Sequence, residues 1–272
     1  MTPSRAISVK PKQSLGQNFL VDDNIARNIV RELHLADDDI VVEIGPGQGA
    51  LTRHLVGTTK KCIAVEIDGR VVSELRQQFE SDGFTVLHKD FLAVALSDIR
   101  KTAVDKLRLV GNIPYHLTSP ILFKMFAERK SVRDCTIMIQ KEVARRIVAK
   151  PNSKEYGILS VFTQFYGTPK ILFSVSPNCF YPKPNVTSAV IRIEMRNEPL
   201  FRVDENMFGI IVKTTFGKRR KTLRNSLAYL PFEESAVKRM IPLLDFPLDK
   251  RPEQLSLEQF AELTEQITHF LL

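Results

Sequence analysis

Ile40-Val41-Val42-Glu43-Ile44 runs without a break into Gly45-Pro46-Gly47-Gln48-Gly49. The β-branched residues read as a strand. The glycines end it in a turn that opens a helix carrying Leu51 and Leu55. A strand, a glycine turn and a helix in that order demand an α/β architecture, because an apolar strand of this kind is buried on both faces. The alternation continues. Residues 62–65, 84–87, 107–110 and 135–139 read as strands, 71–79 as a helix, and Leu117, Ile121, Leu122 and Met125 mark another helix. A mainly parallel sheet with helices on both faces is expected.

The pattern changes after about residue 155. Residues 158–165 are apolar on helical spacing, and 171–175 and 188–193 read as late strands. Arg196-Asn197-Glu198-Pro199 is the best linker, and beyond it 207–216, 222–230, 235–243 and 257–270 all read as helices. The expected division is 1–198 for the sheet domain, with a basic N-terminal segment, and 199–272 for a small all-helical domain. A chain of 272 residues is long enough for both.

Net charge +8 and a pI near 9.4 favour a polyanionic partner, nucleic acid before membrane. Cys62, Cys135 and Cys179 are far apart and lack metal-ligand spacing, and the five histidines are scattered, so no metal site is expected. No run reaches the roughly 18 apolar residues of a membrane span. Arg5, Lys10 and Lys12 suit a transit peptide, but ordered-looking sequence follows closely, so a cytoplasmic protein is expected.

Several strand ends carry chemistry. Gly45 and Gly47 let backbone approach a ligand closely and aim N–H groups at it. The spacing is G-x-G-x-G, not the dinucleotide G-x-G-x-x-G. Glu66 follows Gly45 by 21 residues at the end of the next strand, where a carboxylate accepts the hydroxyls of a ribose. Asp90 ends the third strand, in position to hold an adenine amine. Each acid alone is more often a helix cap or a solvated charge. Together on one sheet edge they point to a nucleoside. Asn112-Ile113-Pro114-Tyr115 follows the fourth strand and offers an amide, a stiff kink with a carbonyl, and an aromatic plate. Such a set holds a planar amine. The Asn112 oxygen and the Ile113 or Pro114 carbonyl can accept its two N–H bonds, and Tyr115 can stack on its ring.

Phe180, in Phe180-Tyr181-Pro182-Lys183-Pro184, is either the other face of a base sandwich or a core plug. Lys218, Arg219, Arg220, Lys221 and Arg224 form a basic run without an acid, and Lys141, Arg145, Arg146 and Lys150 form a second cationic stretch. Both suit phosphate contact, although a charge run is more often a solvated face.

Leu15-Gly-Gln-Asn-Phe-Leu20, Glu43–Gly49, Ala64-Val-Glu-Ile-Asp68, Asn112–Tyr115, Gln140–Arg145, Phe180–Ser188 and Phe216–Asn225 resemble, in order, the blocks of the KsgA family of ribosomal RNA adenine N6-dimethyltransferases. These enzymes have a Rossmann-like methyltransferase fold and use S-adenosylmethionine. The resemblance implies that Asn18, Leu20, Gly45, Glu66, Asp90 and Asn112 contact S-adenosylmethionine. It implies that Asn112, Pro114 and Tyr115 position the target adenine, with Phe180 on its other face. The implied substrate is a pair of adjacent adenines in the 3′-terminal hairpin of small-subunit (16S) rRNA, each methylated twice on N6 late in subunit assembly. A monomer is expected. Ile113, where Leu is common, and Gly69, where a bulkier residue is expected, are minor departures. Three other readings stand beside this one: a large-subunit rRNA methyltransferase of the antibiotic-resistance branch, an RNA-binding assembly or transcription factor, and an NAD-dependent oxidoreductase. The basic block at 218–225, the whole methyl-donor motifs and the missing third-glycine spacing speak against them in turn.

Overall fold

The computed structural model describes residues 9–12, 15–79, 81, 83–100, 102 and 104–271; Arg5 of the basic lead lies outside them. The chain forms two compact units, Met1–Ala144 with Thr168–Asn197, and Arg145–Gly167 with Glu198–Leu272.

The strands are β1 (Phe19–Leu20), β2 (Ile40–Ile44), β3 (Lys61–Glu66), β4 (Phe84–His88), β5 (Leu107–Asn112), β6 (Val132–Gln140), β7 (Gly167–Val175), β8 (Phe180–Tyr181) and β9 (Ser188–Met195). Seven of them make one sheet in the order β4-β3-β2-β5-β6-β9-β7. β4, β3, β2, β5 and β6 run parallel to one another, and β9 runs antiparallel to β6. Chain order therefore reverses between β2 and β5, which opens a crevice at their C-terminal ends. β1 and β8 form a separate antiparallel pair, Phe19 facing Tyr181 and Leu20 facing Phe180.

Helices α1 (Asp23–Glu32), α2 (Thr52–Leu55), α3 (Gly69–Phe79), α4 (Leu96–Ile99) and α5 (Thr118–Ala127) join these strands, and α6 (Lys141–Val148) follows β6. Asp22 caps α1, its side chain accepting from the N–H groups of Asn24 and Ile25. Ile29 and Leu33, Leu55, and Val72 and Leu75 meet Val41, Ala64 and Phe84 of the strands in one core.

The short strand β5, apolar at first sight, carries a buried charge. Arg108 donates to Asp39 at 2.7 Å, to Asp134 at 2.7 and 3.1 Å, and to the carbonyl of His34 at 3.1 Å. Arg192 adds a bond to Asp134 at 3.0 Å. Such a network is sound because every nitrogen of the buried Arg108 guanidinium meets an acceptor.

The second unit packs on aromatic rings. It holds α7 (Ile158–Tyr166), α8 (Glu205–Gly217), α9 (Leu223–Leu227), α10 (Glu234–Met240) and α11 (Leu257–Leu271). Phe165 stacks on Phe208 with centroids 4.1 Å apart, and Phe208 and Phe216 both meet Phe260. A single cut at 198/199 thus does not divide the chain. Residues 145–167 belong with the helices, because α7 supplies Phe162 and Phe165 to their core and the Phe165 carbonyl accepts from Leu200 N–H. Among the described residues no helix is long and apolar enough to cross a membrane.

Candidate active site

A cavity of about 230 Å³ lies in the first unit. Gly45 and Gly47 after β2, Glu66 at the end of β3, Asp90 after β4, and Asn112, Pro114 and Tyr115 after β5 all line it, and Asn18 and Leu20 complete its wall. The residues expected from four strand ends and an N-terminal motif therefore meet in one place.

Gly45 and Gly47 have φ of +62° and +53°, a region that L side chains rarely adopt. A Cβ on Gly47 would lie 2.9 Å from two carbons of the Phe19 ring, so the ring closes on bare backbone. A Cβ on Gly45 would meet nothing within 4 Å, so the space above that backbone is open.

Glu66 is buried. One carboxylate oxygen accepts from the N–H groups of Ile67 and Asp68, both at 2.9 Å, and the other from Gly47 N–H at 3.3 Å. Burial pushes its pKa up, against the pull of those bonds. Asp90 is exposed, and one oxygen accepts from Leu92 N–H at 2.9 Å. It caps a short helical turn and lines the cavity at once.

Asn112 Nδ2 donates to the Asn18 carbonyl at 2.8 Å. A carbonyl only accepts, so the amide nitrogen is committed there and Oδ1 is left to accept. Ile113 N–H donates to Met138 O at 3.1 Å, and Leu117 N–H donates to Pro114 O at 2.9 Å, which pins the kink. The close packing of β5 on β2 needs Gly111, since a Cβ there would lie 2.5 Å from Ile44 O. The Tyr115 hydroxyl meets Ser188 Oγ at 3.0 Å, so the ring is tethered at its far end.

The N-terminal segment is tied down over these loops. Gln48 donates to Val9 O at 3.0 Å and Gln17 to Asp68 at 3.4 Å. Arg70 pairs with Asp68 at 2.6 Å and holds its pKa down, to about 2.

Glu43 opens the glycine motif. It is buried, lines the cavity and accepts from Thr52 Oγ1 at 2.6 Å. Burial pushes its pKa up to about 7, and the nearby Glu66 adds to the rise. An acid inside an apolar strand was the signal that could have found it. Nothing local marked Ser188 or Asp68 as partners.

Phe180 does not join the cavity lining. It is 4 % exposed and sits in the core cluster with Leu20, Val175 and Val190, while Tyr181 beside it is 64 % exposed. The reason is strand alternation: β8 turns Phe180 to the side of Leu20 and the next residue to the other. No group of His, Cys, Asp or Glu able to hold a metal occurs among the described residues.

The basic residues gather in the second unit. Arg145 and Arg146 are exposed on α6, and Lys218, Arg220, Lys221 and Arg224 are exposed around α9. Arg219 differs: it donates to Ser153 O at 3.3 Å and its Nε lies 3.7 Å from Glu253, which makes it a structural tie.

A family model described as Ribosomal RNA adenine dimethylase matches residues 8–268. The chain is 39% identical over 264 residues to ribosomal RNA small subunit methyltransferase A of Clostridium botulinum (strain Loch Maree / Type A3), covering 96% of each chain. It is 41% identical over 257 residues to the protein of that name from Francisella tularensis subsp. tularensis, covering 93% of this chain and 96% of the relative. Among solved structures, a dimethyladenosine transferase from Plasmodium falciparum superposes with a TM-score of 0.78 at 23% identity, covering 93% of this chain and 98% of that one. That likeness speaks for the shared fold. The 23S rRNA methyltransferase ErmE superposes with a TM-score of 0.66 at 26% identity, covering 92% of this chain and all (100%) of its own. A match of this extent, on a parallel sheet whose strand ends converge on one cavity, means that the chain belongs to the ribosomal RNA adenine dimethylase family.

Proposed function

We propose that the protein dimethylates N6 of two adjacent adenosines in the 3′-terminal hairpin of small-subunit (16S) rRNA, with S-adenosylmethionine as donor, on an immature small subunit in the cytoplasm and as a monomer. The observation that carries this reading is the Asn112 amide. One of its N–H groups is bonded to Asn18 O, which fixes the amide's orientation and leaves its oxygen to accept in a cavity shared with a buried acid and an open glycine turn.

The residues fit the donor. Gly45 leaves bare backbone and open space beside the cavity, Glu66 suits the ribose hydroxyls, and Asp90 suits the adenine amine. S-adenosylmethionine supplies, when bound, an electrophilic methyl on a sulfonium. The chain's own residues deal with the amine. An aromatic amine is a poor nucleophile because its lone pair is delocalised into the ring. Asn112 Oδ1 accepts one N6–H bond, and Pro114 O, which has a second lone pair beyond the one Leu117 uses, accepts the other. Two acceptors below the ring plane favour a pyramidal nitrogen and turn its lone pair toward the donor. Amide and carbonyl oxygens hold these protons without removing them at neutral pH, so the methylated, cationic nitrogen loses its proton to water after the methyl has arrived. A monomethylated amine keeps one N–H, and one acceptor still orients it for the second transfer. Tyr115, tethered through Ser188, offers its ring as the stacking surface.

The test is incubation with S-adenosylmethionine and, separately, immature small subunits and large subunits, followed by mass spectrometry of the rRNA. Two dimethyladenosines at the small-subunit 3′ end are expected. Methylation confined to the large subunit would move the protein to the antibiotic-resistance branch, and no methylation of either would overturn the reading.

A further inference from the structure

The second unit carries an exposed aromatic ring with two cations over it. Tyr229 follows α9, in a turn closed by bonds from Tyr229 N–H to Ser226 O and from Leu230 N–H to Leu227 O. The residue is 50 % exposed. The ammonium of Lys218 lies 4.4 Å from the ring centroid and that of Lys221 4.9 Å, and Lys221 also donates to the Tyr229 hydroxyl at 3.0 Å. A backbone bond of 2.7 Å from Lys221 N–H to Lys218 O folds the segment so that both lysines reach the same tyrosine. Arg219, between them, turns away to Ser153 and Glu253.

Among the described residues neither lysine has a carboxylate partner, and Arg220 and Arg224 stand exposed beside them. Like charges drawn to one point without an acid repel each other. The ring quadrupole offsets part of that repulsion, and a polyanion would offset the rest. A lysine pair packed on a ring merely for solubility would not need the tyrosine half exposed. Basic side chains interleaved with an open aromatic face are what single-stranded nucleic acid uses: phosphates on the cations, a base on the ring.

We propose that Tyr229, with Lys218 and Lys221 beside its ring, is a stacking platform for an unpaired RNA base whose neighbouring phosphates the two lysines hold. The proposal rests on the reading that the protein acts on RNA, and it names an element of recognition outside the catalytic cavity.

The chain contains no tryptophan, so Tyr229→Trp installs a single fluorophore at the platform. Binding of three probes is followed through the probe: an unstructured single-stranded RNA oligonucleotide, a perfect RNA duplex of equal charge, and inorganic polyphosphate. Stacking predicts quenching of the tryptophan by the single strand, with little by the duplex or by polyphosphate. Tyr229→Leu should weaken single-strand binding about 10-fold with an unchanged salt slope, as expected for one lost stack. Tyr229→Phe should bind like the parent. The double variant Lys218→Ala/Lys221→Ala should lower the slope by about 1.4, two phosphates at roughly 0.7 each. Unchanged tryptophan emission with the RNA bound, equal quenching by duplex or polyphosphate, full affinity in Tyr229→Leu, or no oligonucleotide binding by the parent would each overturn the proposal. Methyl transfer to small-subunit rRNA is measured apart on the parent protein. Quenching without methylation would sink the enzymatic reading alone, and methylation without quenching the platform alone.

Discussion

The side-chain amide of Asn112 is bonded to the backbone carbonyl of Asn18, 94 residues earlier in the chain, at 2.8 Å. That bond joins the end of β5 to the N-terminal segment lining the cavity and decides which end of the amide is free. Asn112→Ala should reduce methyl transfer by at least about 100-fold, since both the amine acceptor and the tie to Asn18 are lost. Asn112→Asp keeps the shape but sets an oxygen against the Asn18 oxygen. It should weaken donor binding as well. Single-turnover transfer and donor calorimetry check the pair, and a normal turnover rate in Asn112→Ala would remove the residue from the chemistry.

The two cavity glycines should respond differently to alanine. At Gly47 the new methyl meets the Phe19 ring at 2.9 Å and φ is +53°, so both strain and clash act, and a loss above about 2 kcal/mol is expected. At Gly45 only the backbone strain acts, about 1 to 2 kcal/mol. Gly45→Ala should therefore fold more stably than Gly47→Ala yet still lose donor affinity, because its methyl stands in the open space. Denaturant midpoints and donor titration separate the two effects.

Glu43 should make stability depend on pH. Its folded pKa is pushed up to about 7 from 4.5 by burial, so the folded state holds a proton that the unfolded chain releases. That contribution is full below the unfolded pKa and is lost as pH rises through the folded one. Glu43→Gln keeps an acceptor for Thr52 and removes the titration. The variant should match the parent near pH 4 and exceed it by up to about 3 kcal/mol at pH 8. Melting temperatures without donor at both pH values test this; a gap independent of pH would assign the carboxyl no such role.

Phe180 separates a packing role from a stacking role. It is 4 % exposed among Leu20, Val175 and Val190, so Phe180→Ala should cost about 3 to 5 kcal/mol. Phe180→Leu should keep most of the stability. If Phe180→Leu also keeps the kcat of methyl transfer, the residue is a core plug. A fall in kcat at intact stability would return it to the target base.

Much of the cavity was legible locally. Ile40–Ile44 with its glycine turn, Glu66, Asp90 and Asn112–Tyr115 each sit at a strand end, and apolar periodicity marks strand ends without knowledge of the partner strand. A parallel sheet brings those ends to one edge, where these residues line one cavity. The β1–β8 pair escaped notice because two-residue strands have no period to detect. The buried Arg108 network is not legible within residues 107–110, because Asp39 and Asp134 are brought to it only by the fold.

The strand and helix pattern, the glycine turns and the order of the motif blocks are properties of neighbouring residues, and they are enough to specify the architecture and the family. Which side of Asn112 faces the target, whether Phe180 is in the core or at the mouth, where residues 145–167 belong, and how Lys218 and Lys221 come to share Tyr229 depend on contacts across the fold. Periodicity reports which face of an element is apolar. Burial, amide orientation and charge pairing depend on what packs against that face, and that partner lies elsewhere in the chain.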